Sequence, residues 1–276
     1  LEAMARMAHR GGGHGKSGDA AGLLFPLPRH FFQRQWPLLN DISSPFAVAQ
    51  LFLPRSDALK EMCLQRMSEI FASCGLRVAD GRDVPVSVDT LDAHALSTMP
   101  AMVQLLILPD EGSPLAAQGG DDEALERCLF LARRLTEKAL ACDLEKAGAD
   151  PRSFYAASCS SRSIVYKGML PGSRLGEFYA DLCDPDCAAP FAVFHERFST
   201  NTMPAWPLAQ PFRMAAHNGE INTLRGNAAH MTIREAALSS SLLGPKLREI
   251  LPVISPYTSD SGSLDNVLEL LARSGW

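Results

Sequence analysis

The sequence has no apolar run long enough to cross a bilayer. Its clearest one, AMVQLLIL at 101–108, falls far short of the roughly 20 residues a spanning helix needs, and no secretory signal precedes it. A long basic run is missing too. With 26 Lys and Arg against 31 Asp and Glu, and a formal net charge of −5, the chain lacks the positive footprint that a phosphate backbone selects, which argues against nucleic acid as a partner. Seven cysteines at irregular spacing do not read as a disulfide framework, so a reducing, cytoplasmic compartment is expected. Cys183 and Cys187 stand close together without a second pair. No zinc site or other metal site is expected from them.

What is present suits a sizeable buried core, since 46% of the 276 residues are hydrophobic and 21% charged, as in ordinary globular chains. Helical periodicity is clearest in SDALKEMCLQRMSEIFASCG (56–75), opened by a Ser cap, and in DDEALERCLFLARRLTEKAL (121–140), acidic at its start and basic at its end as the helix dipole favours. Both read as core-packing helices. Strand-like runs fall at 84–90, 102–108, 163–170, 191–200 and 212–217, and the mixture lacks strict β–α alternation. An α+β layered fold in one domain over residues 1–276 is expected. The opening LEAMARMAHR is helical with no cap before it, and SLDNVLELLARSG ends on Gly275 as a plausible stop, so the segment is expected to be cut at both ends from something longer.

One motif is a decoy. In RGGGHGKSGDAAG (10–22), Gly15-Lys16-Ser17 ends like a phosphate loop, yet Arg10 stands where that motif needs glycine and a helix precedes it where a strand should. A flexible glycine-rich loop is the better reading. AHNGEINTLRGN (216–227) offers two readings of Asn218 and Gly219: a tight turn, because both residues tolerate positive φ, or a donor pair of side-chain amide and backbone N–H for a developing oxyanion. Arg197, in HERFSTNT, presents a fork suited to a carboxylate or to an ordinary ion pair. Asp260, in SPYTSDSGSLDN, can cap the following helix or hold an ammonium group. Taken together, these groups suit an amino acid whose side chain ends in an amide, which is glutamine.

RFSTNT, WPLAQPF and AHNGEINTLRGN, with SSRSIVYKGML upstream and SDSGSLDNVLELLARSG downstream, resemble the class II glutamine amidotransferase domain, of the N-terminal-nucleophile type, of glutamate synthase large subunits. Weaker echoes in HRGGGHGKSGDAAGLL, GRDVPV and TMPAMVQLLI extend the resemblance over nearly the whole chain. It implies a four-layer αββα fold of the N-terminal-nucleophile hydrolase kind. It also implies that an N-terminal Cys thiol attacks the amide of L-glutamine, with its own α-amine as base; such an amine titrates at about 7.7 to 8, close to working pH. By resemblance, Arg197 binds the substrate carboxylate, Asp260 its ammonium, and Asn218 and Gly219 the oxyanion. The products are glutamate and ammonia, and the ammonia serves glutamate biosynthesis from 2-oxoglutarate at a distant synthase site.

The FMN and iron–sulfur cluster of that site belong to the parent enzyme, so this segment is expected to hold no cofactor. The implied partners are the remaining synthase domains and a small reductase subunit. Two departures stand out. The nucleophile of the family lies upstream of the first helix seen here and none of the seven cysteines is N-terminal, so the segment alone is expected to be inactive. A non-catalytic glutamine- or glutamate-binding module, degenerate in this respect, is the alternative; the sequence upstream of Leu1 distinguishes the two. In addition, Ala20 replaces an expected glycine in a loop that looks shortened.

Overall fold

The structure, a computed structural model, describes residues 1–7, 20–41, 45–117, 122–198 and 202–275. Its strands are β1 (Ala21–Pro26), β2 (Ala47–Leu53), β3 (Leu76–Asp83), β4 (Ala101–Pro109), β5 (Tyr155–Ser160), β6 (Ser163–Gly168) and β7 (Val193–Glu196). Its helices are α1 (Glu2–Arg6), α2 (Arg29–Gln35), α3 (Asp57–Ser73), α4 (Ala93–Thr98), α5 (Pro114–Ala117), α6 (Asp122–Lys146), α7 (Leu175–Phe178), α8 (Leu224–Glu235), α9 (Lys246–Glu249) and α10 (Asp260–Arg273). The strands form two antiparallel sheets, ordered β6-β1-β7 and β3-β4-β2-β5. None of the described helices is long and apolar enough to cross a membrane.

The run AVAQLFL of β2 is buried along its whole length, as expected of a strand covered on both faces. On one face Ala49, Leu51 and Leu53 pack with Met67 and Phe71 of α3 and Leu125 and Leu129 of α6. On the other, Val48 and Phe52 join Met102 and Leu106 of β4 against Leu23, Phe25 and Tyr166 of the three-stranded sheet. Between the sheets lies a buried polar row: Gln104 donates to Gln50 Oε1 at 2.7 Å and to Tyr166 Oη at 2.8 Å. The Tyr166 hydroxyl in turn donates to Asp181 at 2.8 Å.

Several expected elements are displaced. The strand expected at 84–90 is replaced by β3, which ends at Asp83; beyond it come a single bridge from Val86 to Tyr179 and a short turn of helix at Val88–Thr90. β3 is an edge strand with Arg77, Asp80, Arg82 and Asp83 among its residues, so charge hides its strand character, whereas Pro85 interrupts the more apolar run beyond it. The expected strand at 212–217 is irregular chain, and that at 191–200 contracts to β7, with residues 199 and 200 outside the described ones. β1, β2 and β5 have no counterpart among the expected strands. α6 continues to Lys146, past the expected end at 140, and Ser56 precedes α3 without a side-chain cap bond. Residues 10–19 of the glycine-rich loop lie outside the described residues.

The sheet β6-β1-β7 forms the floor on which the 207–212 segment rests. Gly22 of β1 faces Lys167 of β6 on one side and His195 of β7 on the other, and directly opposed residues share a face. A Cβ on Gly22 would stand 2.6 Å from both the Gln210 carbonyl oxygen and Lys167 Cβ. Only glycine lets the segment lie this close to the sheet. Gly22→Ala is therefore expected to lower unfolding stability by about 1–3 kcal/mol, the usual range for overpacking, read as a shift in urea midpoint; an unchanged midpoint would refute the close approach.

Candidate functional site

β7 delivers the chain to Arg197, whose φ of 131° lies where side chains rarely settle. Its amide donates to the Ala20 carbonyl at 2.8 Å, which ties this unusual conformation to the start of β1. A cleft of about 340 Å3 opens beside it, and its lining includes Arg197, Asn218, Gly219 and Asp260. All four residues singled out in the sequence thus meet around one small cavity. A larger cavity, about 1370 Å3, adjoins it through Ile221, Asn222 and Asp260, and of the four only Asp260 lines it.

Among the described residues the segment leading to Asn218 has no ladder partner, so other groups hold its backbone. Lys167, fully buried, donates to the Pro207 carbonyl at 2.8 Å and to Tyr155 Oη at 3.1 Å, with its Nζ 4.6 Å from the ring centres of both Tyr155 and Phe212. Burial drives its pKa well below the usual lysine value, with Arg213 acting in the same direction. Further along, the Asp265 carboxylate, also fully buried, accepts from the backbone amides of Arg213 at 3.2 Å, Met214 at 2.7 Å and Ala215 at 3.0 Å. Those amides face a carboxylate, which is why 212–217 is not a strand.

The Asn218–Gly219 step is not the positive-φ turn expected of Asn-Gly, because neither residue is among those with positive φ. The bend is held by a side chain: His217 Nδ1 lies 3.0 Å from the Gly219 carbonyl and Nε2 lies 2.9 Å from Ser261 Oγ. Asn218 and Gly219 are both exposed. At Asp260 the alternatives separate. Ser259 caps α10, its side chain accepting from the Gly262 amide at 3.1 Å, and Asp260 is the first helical residue, accepting from the Ser261 amide at 2.6 Å. A carboxylate there also gains from the helix dipole.

Electrostatics at the rim is mixed. His195 lines the cleft, its Nδ1 3.1 Å from the Arg197 carbonyl; burial lowers its pKa, His217 adds to the lowering and the bond to Arg197 opposes it. No cysteine lines the cleft among the described residues. Burial pushes the Cys63 thiol up to about 11, Cys187 up to about 12 and Cys159 further still, so these thiols stay protonated at neutral pH. They lack the thiolate character a nucleophile needs.

His217, Ser261, Asp265 and Gln210 carry no role in the sequence reading. For Asp265 a signal existed: Asp265 and Glu269, four residues apart and both buried on α10, place two carboxylates on one helix stripe, and buried carboxylates demand partners. His217 carried no signal of its own, since a histidine beside Asn-Gly reveals nothing about which helix it reaches.

The sequence profile described as glutamine amidotransferases class-II matches residues 1–276. The chain is 38% identical over 280 residues to the glutamate synthase [NADPH] large chain of Azospirillum brasilense, covering 100% of this chain and 18% of that protein. It is 40% identical over 282 residues to ferredoxin-dependent glutamate synthase 2 of Synechocystis sp. and 41% identical over 281 residues to the ferredoxin-dependent glutamate synthase of Cyanidium caldarium, covering all of this chain and 17% of each. The chain thus spans less than one fifth of the length of these relatives.

Behind the cleft, Glu269 receives Arg133 Nη2 at 2.6 Å and Arg213 Nε at 3.1 Å. Burial opposes its ionisation, yet Arg133 and Arg213 outweigh burial and hold its pKa at about 2. An unfolded glutamate titrates at about 4.3, so this carboxylate contributes stability that is complete above the unfolded value and is lost as pH falls towards 2. Melting temperature is expected to fall between about pH 5 and 2, with a shallower fall in Glu269→Gln. That variant should also lose about 1.5–3 kcal/mol at pH 7, the usual worth of hydrogen bonds to a charged group, because Arg133 and Arg213 each lose one carboxylate partner while keeping Glu137 and Asp265; equal pH slopes in the two proteins would refute the assignment.

Proposed function

The chain belongs to the class-II glutamine amidotransferases, and on that premise we propose that its cleft binds L-glutamine and that the chain is the glutaminase part of a glutamate synthase. The meeting of Arg197, Asn218, Gly219 and Asp260 around one cavity carries this reading. Arg197 pairs its planar fork with the α-carboxylate, and Asp260 takes the α-ammonium. The Asn218 amide and the Gly219 N–H donate to the side-chain carbonyl oxygen as it gains charge.

A cysteine thiol attacks the amide carbon while its proton passes to an α-amine; ammonia leaves with that proton, and water then hydrolyses the thioester to glutamate. The thiol is not one of the seven cysteines of residues 1–276. None of them lines the cleft among the described residues, and none can supply an α-amine of its own. The ammonia supports formation of glutamate from 2-oxoglutarate in the rest of the parent protein, as the resemblance implies; the relatives are named as glutamate synthases. The FMN, the iron–sulfur cluster and the small reductase subunit implied by the resemblance belong to that remainder, and no residue of this chain is assigned to them. Placement in the cytoplasm is part of the same proposal.

In the full-length protein, Asn218→Ala is expected to lower kcat by about 100- to 1000-fold, the usual cost of one oxyanion donor, with a smaller change in KM. A steady-state glutaminase assay in which kcat stays at the wild-type value would sink the oxyanion role. Arg197→Lys is expected to raise KM for glutamine strongly, because an ammonium does not reproduce the two-pronged contact. Wild-type glutamine affinity by calorimetry would count against it. Residues 1–276 alone are expected to show no glutaminase turnover, while millimolar glutamate raises their melting temperature by mass action on the folded state; ammonia release at an enzymatic rate would overturn the assignment of the thiol.

A further inference from the structure

Among the described residues, His217 is the side chain that joins the Asn218–Gly219 bend to the helix carrying Asp260. The Gly219 carbonyl can only accept, so His217 Nδ1, 3.0 Å away, carries the ring proton. The Ser261 hydroxyl lies 2.9 Å from Nε2 and 3.2 Å from Asp260 Oδ1; its single proton serves one of the two, and with Nε2 unprotonated it goes to the ring. Ser261 is 1% exposed and comes directly after Asp260, with its amide donating to Asp260 Oδ1 at 2.6 Å. The links run from Gly219 carbonyl to imidazole to Ser261 to Asp260.

Among the described residues, packing gives the tip of the bend little support. A Cβ at Gly219 would meet nothing within 4 Å, and the neighbouring Asn218 is exposed. A rigid five-membered ring is thus the spacer between the two ends of the cleft, where a flexible side chain would let the distance drift.

We propose that His217 is a positioning residue that sets the separation between the oxygen-binding donors and Asp260, and so selects glutamine over its one-methylene-shorter homologue asparagine. This rests on the glutamine-binding roles proposed above for Asn218, Gly219 and Asp260. Fixed spacing matters because a displacement of about 1 Å can cost about 100-fold in rate, while apolar packing distinguishes a single methylene by only about 10- to 200-fold. In this cleft the ruler is a hydrogen-bonded ring.

The test uses the full-length protein, with L-glutamine and L-asparagine as alternative substrates, in wild type, His217→Ala, His217→Gln and Ser261→Ala. His217→Ala is expected to lower kcat/KM for glutamine by about 10- to 100-fold and to lower the glutamine-to-asparagine preference by at least about 10-fold. Ser261→Ala, which breaks the same link from the helix side, is expected to change the preference in the same direction. His217→Gln, which can still accept from Ser261, should fall between wild type and His217→Ala. A merely structural role would lower both substrates in proportion; an unchanged preference in a folded His217→Ala, or in Ser261→Ala where His217→Ala does not fold, overturns the inference while leaving the functional reading intact. A wild-type protein without glutaminase activity overturns both.

Discussion

The Asp265 carboxylate, buried on the side of α10, is the point from which the rest of the site is suspended. A buried carboxylate without partners costs several kcal/mol, and this one is satisfied by three consecutive backbone amides at 213–215 and by the nearby Arg213 guanidinium, 3.5 Å away. The same contacts satisfy amides that have no strand to pair with. One interaction therefore meets two otherwise costly demands, and in doing so it fixes the chain three residues before Asn218. Arg213 extends the arrangement through Glu269 to Arg133 on α6, and through Asn266 Oδ1 at 2.8 Å back to α10. The cleft is thereby coupled to the helical layer that covers the four-stranded sheet.

Anchors occur at intervals along the whole approach. Lys167 takes the Pro207 carbonyl, Gly22 leaves room for that of Gln210, Asp265 takes the amides of 213–215, and His217 reaches Ser261. A loop of this length without regular structure would ordinarily be loose. Here each few residues of backbone meet a buried polar group from a sheet or a helix, which is how an irregular segment holds functional groups to within a fraction of an ångström. The strained Arg197 fits the same pattern, since strain persists only where surrounding structure over-determines it.

Besides Gln210, the described lining of the cleft comes from the end of β7 and the residues after it, the irregular segment at 217–222 and the first turn of α10. Each contributes one kind of chemistry, a cation, a pair of neutral donors and an anion. Separating them on different elements lets each be held by its own supporting contacts. The thiols, by contrast, lie within the apolar layers or at other surfaces, where burial keeps several of them protonated.

The membership of the candidate site was legible in the sequence because charge and hydrogen-bonding capacity are properties of residue type: Arg197 offers a fork, Asn218 and Gly219 neutral donors and Asp260 a carboxylate, and the structure brings the four to one cleft. The α+β class was legible from periodicity, and so were α3, α6, β4 and β6, whose apolar patterns are strong. Other features were not. β2 and β5 carry apolar or small residues on both faces, so period alone does not separate them from buried helix, while β3 hides its pattern beneath edge charges. The apparent strand at 212–217 alternates correctly, but its amides bond to Asp265, a residue fifty positions away. Asn218-Gly219 reads as a positive-φ turn, yet its bend is made by His217 and secured on Ser261. Residue chemistry is local and is written in the sequence, whereas the partner that claims a backbone amide or a ring nitrogen is chosen by which segments pack together, and that only the tertiary structure decides.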